Sequence, residues 1–465
     1  MYIIILSSET HMLQIWAQQA LLPSGWAQDV LVSVTDAGTF SEIVPNARAQ
    51  GLQVGILLPA PVNVHSHAFQ RAMAGLTETQ GPDARDSFWT WRQLMFRFLD
   101  RLTPWHVEVI TAFVQMEMLE AGYATSAEFH YLHHQPGGAP YDTLSEMSER
   151  IIAATAQSGI GLCLLPVHYQ FGGCDGRALT SGQIRFGNDL DRFQRLCGGA
   201  KDALEHLPAD ASIGVAPHSL RAVGARDLQN YASLFPQGPI HMHLAEQLAE
   251  VEEVQAHWGA RPVEWALQNM GLDDRWCLIH CTQMNPNETA ALARTGAVAG
   301  LCPITESNLG DGIFDAAGWL QAQGKMAIGS DSNIRISLSE EIRTLEYTQR
   351  LRDHSRAALA MPTRSTGRHI FDQILQGGAR ATGRETGRLE AGALADMLAL
   401  DAGSVHLDGR AGDAVLDTWF FAGDDRLVTD VWSAGRQMVK EGRHVHRQSI
   451  LGAYRRTQVE LRDAL

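Results

Sequence analysis

Lysine and positive charge are both scarce in this chain. Among 465 residues only Lys201, Lys325 and Lys440 are lysines, and 52 acidic residues outnumber 37 basic ones, for a formal net charge of -15. That balance opposes a general nucleic-acid binder, which needs a basic surface to meet phosphates. Cysteine is sparse as well. Cys163, Cys174, Cys197, Cys277, Cys281 and Cys302 include no close CxxC pair. In a chain of this length they read as reduced thiols, not as a disulfide framework. No run approaches the roughly 18 apolar residues of a membrane span. The start, MYIIILSSETHML, has a short apolar run and no basic region before it, which makes a poor signal peptide. A cytoplasmic protein is the default expectation. Internal repeats and long disordered linkers are missing too.

What is present is enough for a large core. Hydrophobic residues make up 45% of the chain, and the length exceeds the roughly 250 residues of one α/β barrel. Eight runs read as buried strands, at 61–65, 124–131, 161–167, 212–217, 240–245, 277–281, 297–303 and 326–331. Helix-like segments lie between them, among them 106–122, 144–159 and 251–271. Strands alternating with helices predict an α/β chain with a parallel sheet, and eight such units suggest a closed (β/α)8 barrel. Residues 1–58 contain short strand-like pieces, and helical periodicity is weak there apart from 11–21. After Asp331 come an amphipathic helix pattern at 337–355 and more helix at 357–383, read as broken at Pro362 and Gly367. From about Gly387 the texture turns to strands and turns, including 412–423. The expected organisation is 1–58 and 386–465 together as a small β domain and 59–385 as the barrel. The segment 172–183 reads as a surface loop.

His65-Ser66-His67 ends the first barrel run. Side chains alternate along a strand, so the two imidazoles share a face and can grip one metal ion. His243, Glu246, His280 and Asp331 follow at or just beyond later strand ends, where barrel active sites form. Zinc accepts imidazole and carboxylate ligands, so His65, His67, His243 and Asp331 are candidate metal ligands. His241 shares a strand face with His243, and His243 is preferred as nearer the active end. No lysine falls at the active end of the third or fourth strand. A lysine carbamate bridging two metals is therefore not expected, and one metal is the simpler reading. His280 is the candidate base for water, with Asp331 able to share that role. Glu246 could move a proton to a leaving nitrogen, or could simply be a first-turn helix carboxylate. Arg221 and Arg92 are candidates for gripping a small dicarboxylate, because the arginine fork suits carboxylates. Tyr131 and Gln70 could add neutral hydrogen bonds.

Taken together, PVNVHSHAFQRAMAGLTE, FWTWR, EFHYLHH, PHSLRAV, HMHLAEQ, LIHCTQM and IGSDSN resemble the N-formimidoyl-L-glutamate deiminases of the amidohydrolase superfamily. The resemblance runs from about residue 15 to the C-terminus. It implies a distorted (β/α)8 TIM barrel with a small β-sandwich domain built from both chain ends. It implies one zinc per subunit on His65, His67, His243 and Asp331, with catalytic roles for Glu246, His280 and Asp331. It places Gln70, Arg92, Tyr131, His218 and Arg221 around a small dicarboxylate amidine, in a homodimeric enzyme of histidine breakdown. Ammonia would leave and N-formyl-L-glutamate would remain. Two features depart from the family pattern. Pro59-Ala60 replaces the usual Pro-Gly, and the first 14 residues differ. The alternative is a related deaminase acting on a cyclic amidine such as guanine, whose pocket would favour ring stacking over carboxylate clamps.

Overall fold

The computed structural model describes residues 13–78 and 88–464, with side chains from 94 to 462 in the second stretch except at 181. The initial MYIIIL run lies outside the described residues. Two parallel arcs make the barrel. One contains Val62–Ser66, Thr125–His130, Gly161–His168 and a fourth strand in two pieces, Ser212–Ile213 and Ala216–Pro217. The other contains Ile240–Leu244, Trp276–His280, Val298–Leu301 and Lys325–Ile328. Single bridges, Val215 to Ile240 and Ser66 to Asp331, join the arcs at both seams. The eight strands are buried because helices cover them outside and side chains fill the interior, as parallel strands require. Helix Thr366–Thr382 shows how close that cover is: a Cβ on Gly377 would run into the Met326 carbonyl oxygen of the eighth strand.

Both chain ends contribute to a separate eight-stranded sheet. Leu13–Leu22, Gly25–Val34, Phe40–Val44 and Leu52–Pro59 come from the start, and Met397–Leu400, Val428–Ser433, Arg436–Lys440 and Arg443–His444 from the end. The join is antiparallel, with Leu398 opposite Leu58. Its own core gathers Ile15, Val32, Phe40, Leu57, Met397 and Trp432. Ala60, in place of the expected glycine, needs no left-handed backbone and donates its N–H to Asp396 O at 3.0 Å.

Four local expectations fail for identifiable reasons. Residues 13–22 form a strand and not a helix, because Ile15 and Ala17 bury one face while Leu13, Gln14 and Trp16 are partly open. Residues 413–421 form a helix inside the segment read as strand and turn. Val415, Leu416, Trp419 and Phe420 are buried at helical spacing. Gly367 does not break its helix but lies in the first turn, where it donates its N–H to Asp417 at 2.8 Å. The helix-like run 251–271 is two helices, Leu248–Trp258 and Pro262–Asn269. Gly259 caps the first at φ 77°, a left-handed conformation that suits glycine, and Pro262 opens the second. Among the described residues no helix is long and apolar enough to cross a membrane.

Candidate active site

The first and eighth barrel strands are laced together beneath the site. Ser330 and Asp331 both donate backbone N–H bonds to His65 O, at 3.0 and 2.9 Å, and His67 N donates to Asp331 O at 2.9 Å. Asn63, Ser66, Ser330 and Asn333 add buried side-chain hydrogen bonds across the same seam. Gly329 permits the close fit, since a Cβ there would stand 2.6 Å from the His65 nitrogen. This is what the IGSDSN segment does locally: it presents Asp331 beside His65 and His67.

His65, His67, His243 and Asp331 converge, with one ligand atom from each lying within 4.8 Å of the others. His65 Nε2 approaches His243 Nε2 to 3.0 Å, and Asp331 Oδ1 stands 3.4 Å from His65 Nε2 and 3.2 Å from His67 Nε2. The far ring nitrogens explain the orientation. His67 Nδ1 pairs with Phe129 O at 2.9 Å and His243 Nδ1 with His218 O at 3.1 Å. A carbonyl only accepts, so each Nδ1 carries the proton and each Nε2 turns a lone pair inward. Lone pairs facing one another and a carboxylate repel unless a cation lies between them. Three imidazoles and one carboxylate fit a divalent ion of zinc's chemistry. Burial keeps the His65 and His243 imidazoles neutral, lowering His65 to about 3 and His243 well below the ordinary range. Burial would raise the Asp331 carboxyl, yet the contacts to His65 and His67 hold it well below the usual carboxylate range. His241, the other histidine of its strand, instead meets Ala381 O at 2.6 Å.

His280 stands beside this cluster with its Nδ1 3.2 Å from Glu306 Oε1. Glu306 is held in turn by the Cys302 N–H at 2.8 Å. These contacts account for the tight grouping of His280, Cys302 and Glu306 without requiring an ion. His280 Nε2 faces Glu246 Oε1 at 3.7 Å, and Arg221 reaches Glu246 Oε2 at 3.7 Å. Burial lowers the His280 pKa, but Glu246, Glu306 and Asp331 outweigh it and raise the imidazole to about 10. Backbone strain is present at the same rim: Ala245, His280, Cys281 and Asp331 have φ of 52°, 71°, 52° and 46°. Such left-handed non-glycine residues persist only where the surroundings over-determine them, commonly at functional sites.

A cleft of about 760 Å³ joins His67, His243, Glu246, His280 and Asp331 to Gln70, Tyr131, His218 and Arg221. Gln70 Nε2 donates to the Tyr131 phenol oxygen, Oη, at 2.6 Å, leaving Gln70 Oε1 buried without a hydrogen-bond partner. Arg221 Nε is likewise a buried donor without a hydrogen-bond partner. Arg92 lies on helix Phe88–Leu99, but its side chain is outside the described residues; Met95 of that helix lines the cleft. Sequence reasoning missed Glu306, Tyr169 and Arg177. Glu306 had only the signal of a helix first-turn acid after the seventh strand. Arg177 stands in the segment read as a surface loop, yet lines the mouth of the cleft.

The strand-end ligands and the paired histidine and carboxylate define a metal-dependent hydrolase barrel, and comparison with known proteins agrees. The model of the "Amidohydrolase family" matches residues 56–438. That of "Formimidoylglutamate deiminase HutF, N-terminal domain" matches residues 12–52. The chain is 46% identical over 456 residues to a formimidoylglutamate deiminase of Pseudomonas aeruginosa, covering 97% of this chain and 99% of that one. A crystal structure of an amidohydrolase from Brucella melitensis superposes with a TM-score of 0.92 at 45% identity, covering 96% of this chain and 99% of that one. An adenosine deaminase from Xanthomonas campestris, with bound zinc, shares the fold at 21% identity and a TM-score of 0.80, over 97% and 98% of the two chains. The chain belongs to the formimidoylglutamate deiminase family, within the amidohydrolases.

Proposed function

We propose that the chain hydrolyses N-formimidoyl-L-glutamate to N-formyl-L-glutamate and ammonia, with one zinc per chain on His65, His67, His243 and Asp331. The carrying observation is that one cleft joins that ligand set to Arg221, whose buried Nε–H has no hydrogen-bond partner. A metal hydrolase needs no such cation for its chemistry, whereas a carboxylate substrate does. The likeness to the Pseudomonas aeruginosa deiminase supplies the substrate's identity.

Zinc, when bound, brings its water from a pKa of about 15.7 toward roughly 7 and offsets the carboxylate field that otherwise raises His280. The protein's own groups do the rest. His280, oriented by Glu306, takes the proton from the attacking water. The water oxygen bonds to the formimidoyl carbon. His280 passes that proton to Glu246, 3.7 Å away, which delivers it to the terminal nitrogen; the proton of the new hydroxyl follows by the same relay as the carbonyl forms, so the nitrogen gains both protons of the water. The bond to that nitrogen breaks and ammonia departs, while the glutamate-side C–N bond survives. Arg221 holds one substrate carboxylate, with Arg92 assigned to the other end of the dicarboxylate. Gln70, Tyr131 and His218 complete the polar lining. Homodimer formation and a cytoplasmic setting belong to this reading on the family resemblance alone.

The test is ammonia release from N-formimidoyl-L-glutamate by zinc-loaded protein, with the other product analysed. Equal amounts of ammonia and N-formyl-L-glutamate are expected. Turnover of guanine in place of the linear amidine would overturn the reading.

A further inference from the structure

Glu246 is the first residue beyond a strained turn, and its backbone is gripped from two sides. Ala245 has φ 52° and Glu246 follows it into the cleft. Glu250, in the first turn of helix Leu248–Trp258, is 1% exposed. Its two carboxylate oxygens accept the N–H of Ala245 at 3.1 Å and the N–H of Glu246 at 3.0 Å. From the neighbouring strand end, the Thr282 hydroxyl donates its one proton to Glu246 O and stands 3.2 Å from Ala245 O. Gln283 N donates to Ala245 O at 2.9 Å. Thus both peptide donors and both peptide acceptors of the turn are taken up. A helix N-terminal carboxylate commonly reaches back to one capping amide. Here it passes over the cap, Gln247, and takes the two amides before it. Thr282 lies two residues beyond His280, so the segment that carries the imidazole also holds the backbone of the residue whose carboxylate faces it.

We propose that Glu250 and Thr282 are positioning residues that fix the Glu246 carboxylate against His280. Neither is asked to touch the substrate. The inference rests on the catalytic reading of Glu246 given above. Its physical basis is that a strained turn relaxes when the bonds that over-determine it are removed.

Glu250→Gln is close in shape but turns an amide donor toward one of the two N–H groups. Thr282→Val removes the hydroxyl at similar volume, and Thr282→Ser restores it. With zinc-loaded protein, Glu250→Gln and Thr282→Val are expected to lower kcat on the order of 10- to 100-fold, with KM changed less than threefold. The acid limb of the kcat profile should move, and Thr282→Ser should recover most of the rate. Unchanged kcat and pH profile in both variants would overturn the proposal. So would a loss that only tracks the fraction of folded, zinc-loaded protein. A zinc-loaded crystal structure of Glu250→Gln gives a reading that needs no turnover. Glu246 displaced from His280 is expected, and Glu246 unmoved would overturn the inference. Failure of the wild type on N-formimidoyl-L-glutamate would instead count against the substrate assignment.

Discussion

His65, His67 and His243 bring their inner nitrogens to one point with Asp331, whereas His130, His133, His134 and His168 are equally buried and converge on nothing. The second group stands on or just beyond the second and third barrel strands. His133 Nε2 meets Val167 O at 2.9 Å, His134 Nε2 meets Gly187 O at 3.0 Å, and His168 stacks on Phe193 with ring centroids 4.8 Å apart. Strand alternation separates the sets. Phe129 and Tyr131 pack against the ligand His67, while His130 between them packs against His133. Burial lowers members of both sets alike, His65 to about 3 in the first and His130 to about 3 and His168 to about 4 in the second. Burial alone therefore makes a quiet imidazole. A metal site further requires a shared direction and a carboxylate at the point of convergence.

Breaking the convergent set should have the largest effect. His243→Ala is expected to lose zinc together with activity, by roughly 10³-fold or more in kcat/KM. Metal analysis beside kinetics checks this, and retained zinc with full turnover would remove His243 from the ligand set. His280→Ala sharpens the boundary of that set. Zinc should stay while kcat falls by about 10²- to 10⁴-fold, the usual scale for loss of a positioned acid or base. Zinc leaving with the activity would make His280 a ligand. The smallest effect is expected on the other side of the comparison. His168→Phe preserves the ring stack and should leave zinc and kcat unchanged. The folded pKa of His168, about 4, lies below its ordinary 6.5, so its contribution is present above pH 6.5 and fades as the pH falls toward 4. It amounts to roughly 3 kcal/mol at most. Denaturant titrations at pH 7 and in acid should show a shallower acid loss in the variant. An identical loss would place the acid sensitivity elsewhere.

The convergent set was legible because it obeys simple periodicity. His65 and His67 are two apart at a strand end, and the remaining ligands close similar apolar runs. The barrel was legible for the same reason. What stayed hidden depends on where turns go. Glu250 and Thr282 look like a helix acid and a loop hydroxyl until the strained Ala245 brings both onto one peptide turn. Glu306 acquires meaning only when its helix swings it beneath His280. The helix at 413–421 was obscured because glycines flank it on both sides and its burial faces the barrel helices, a tertiary fact.

Zinc titration of metal-free protein, with activity on N-formimidoyl-L-glutamate followed at each addition, addresses the single convergent centre most directly. Activity is expected to rise linearly and stop at one zinc per chain. A rise that continues to two zinc ions per chain, or activity indifferent to zinc, would contradict the account.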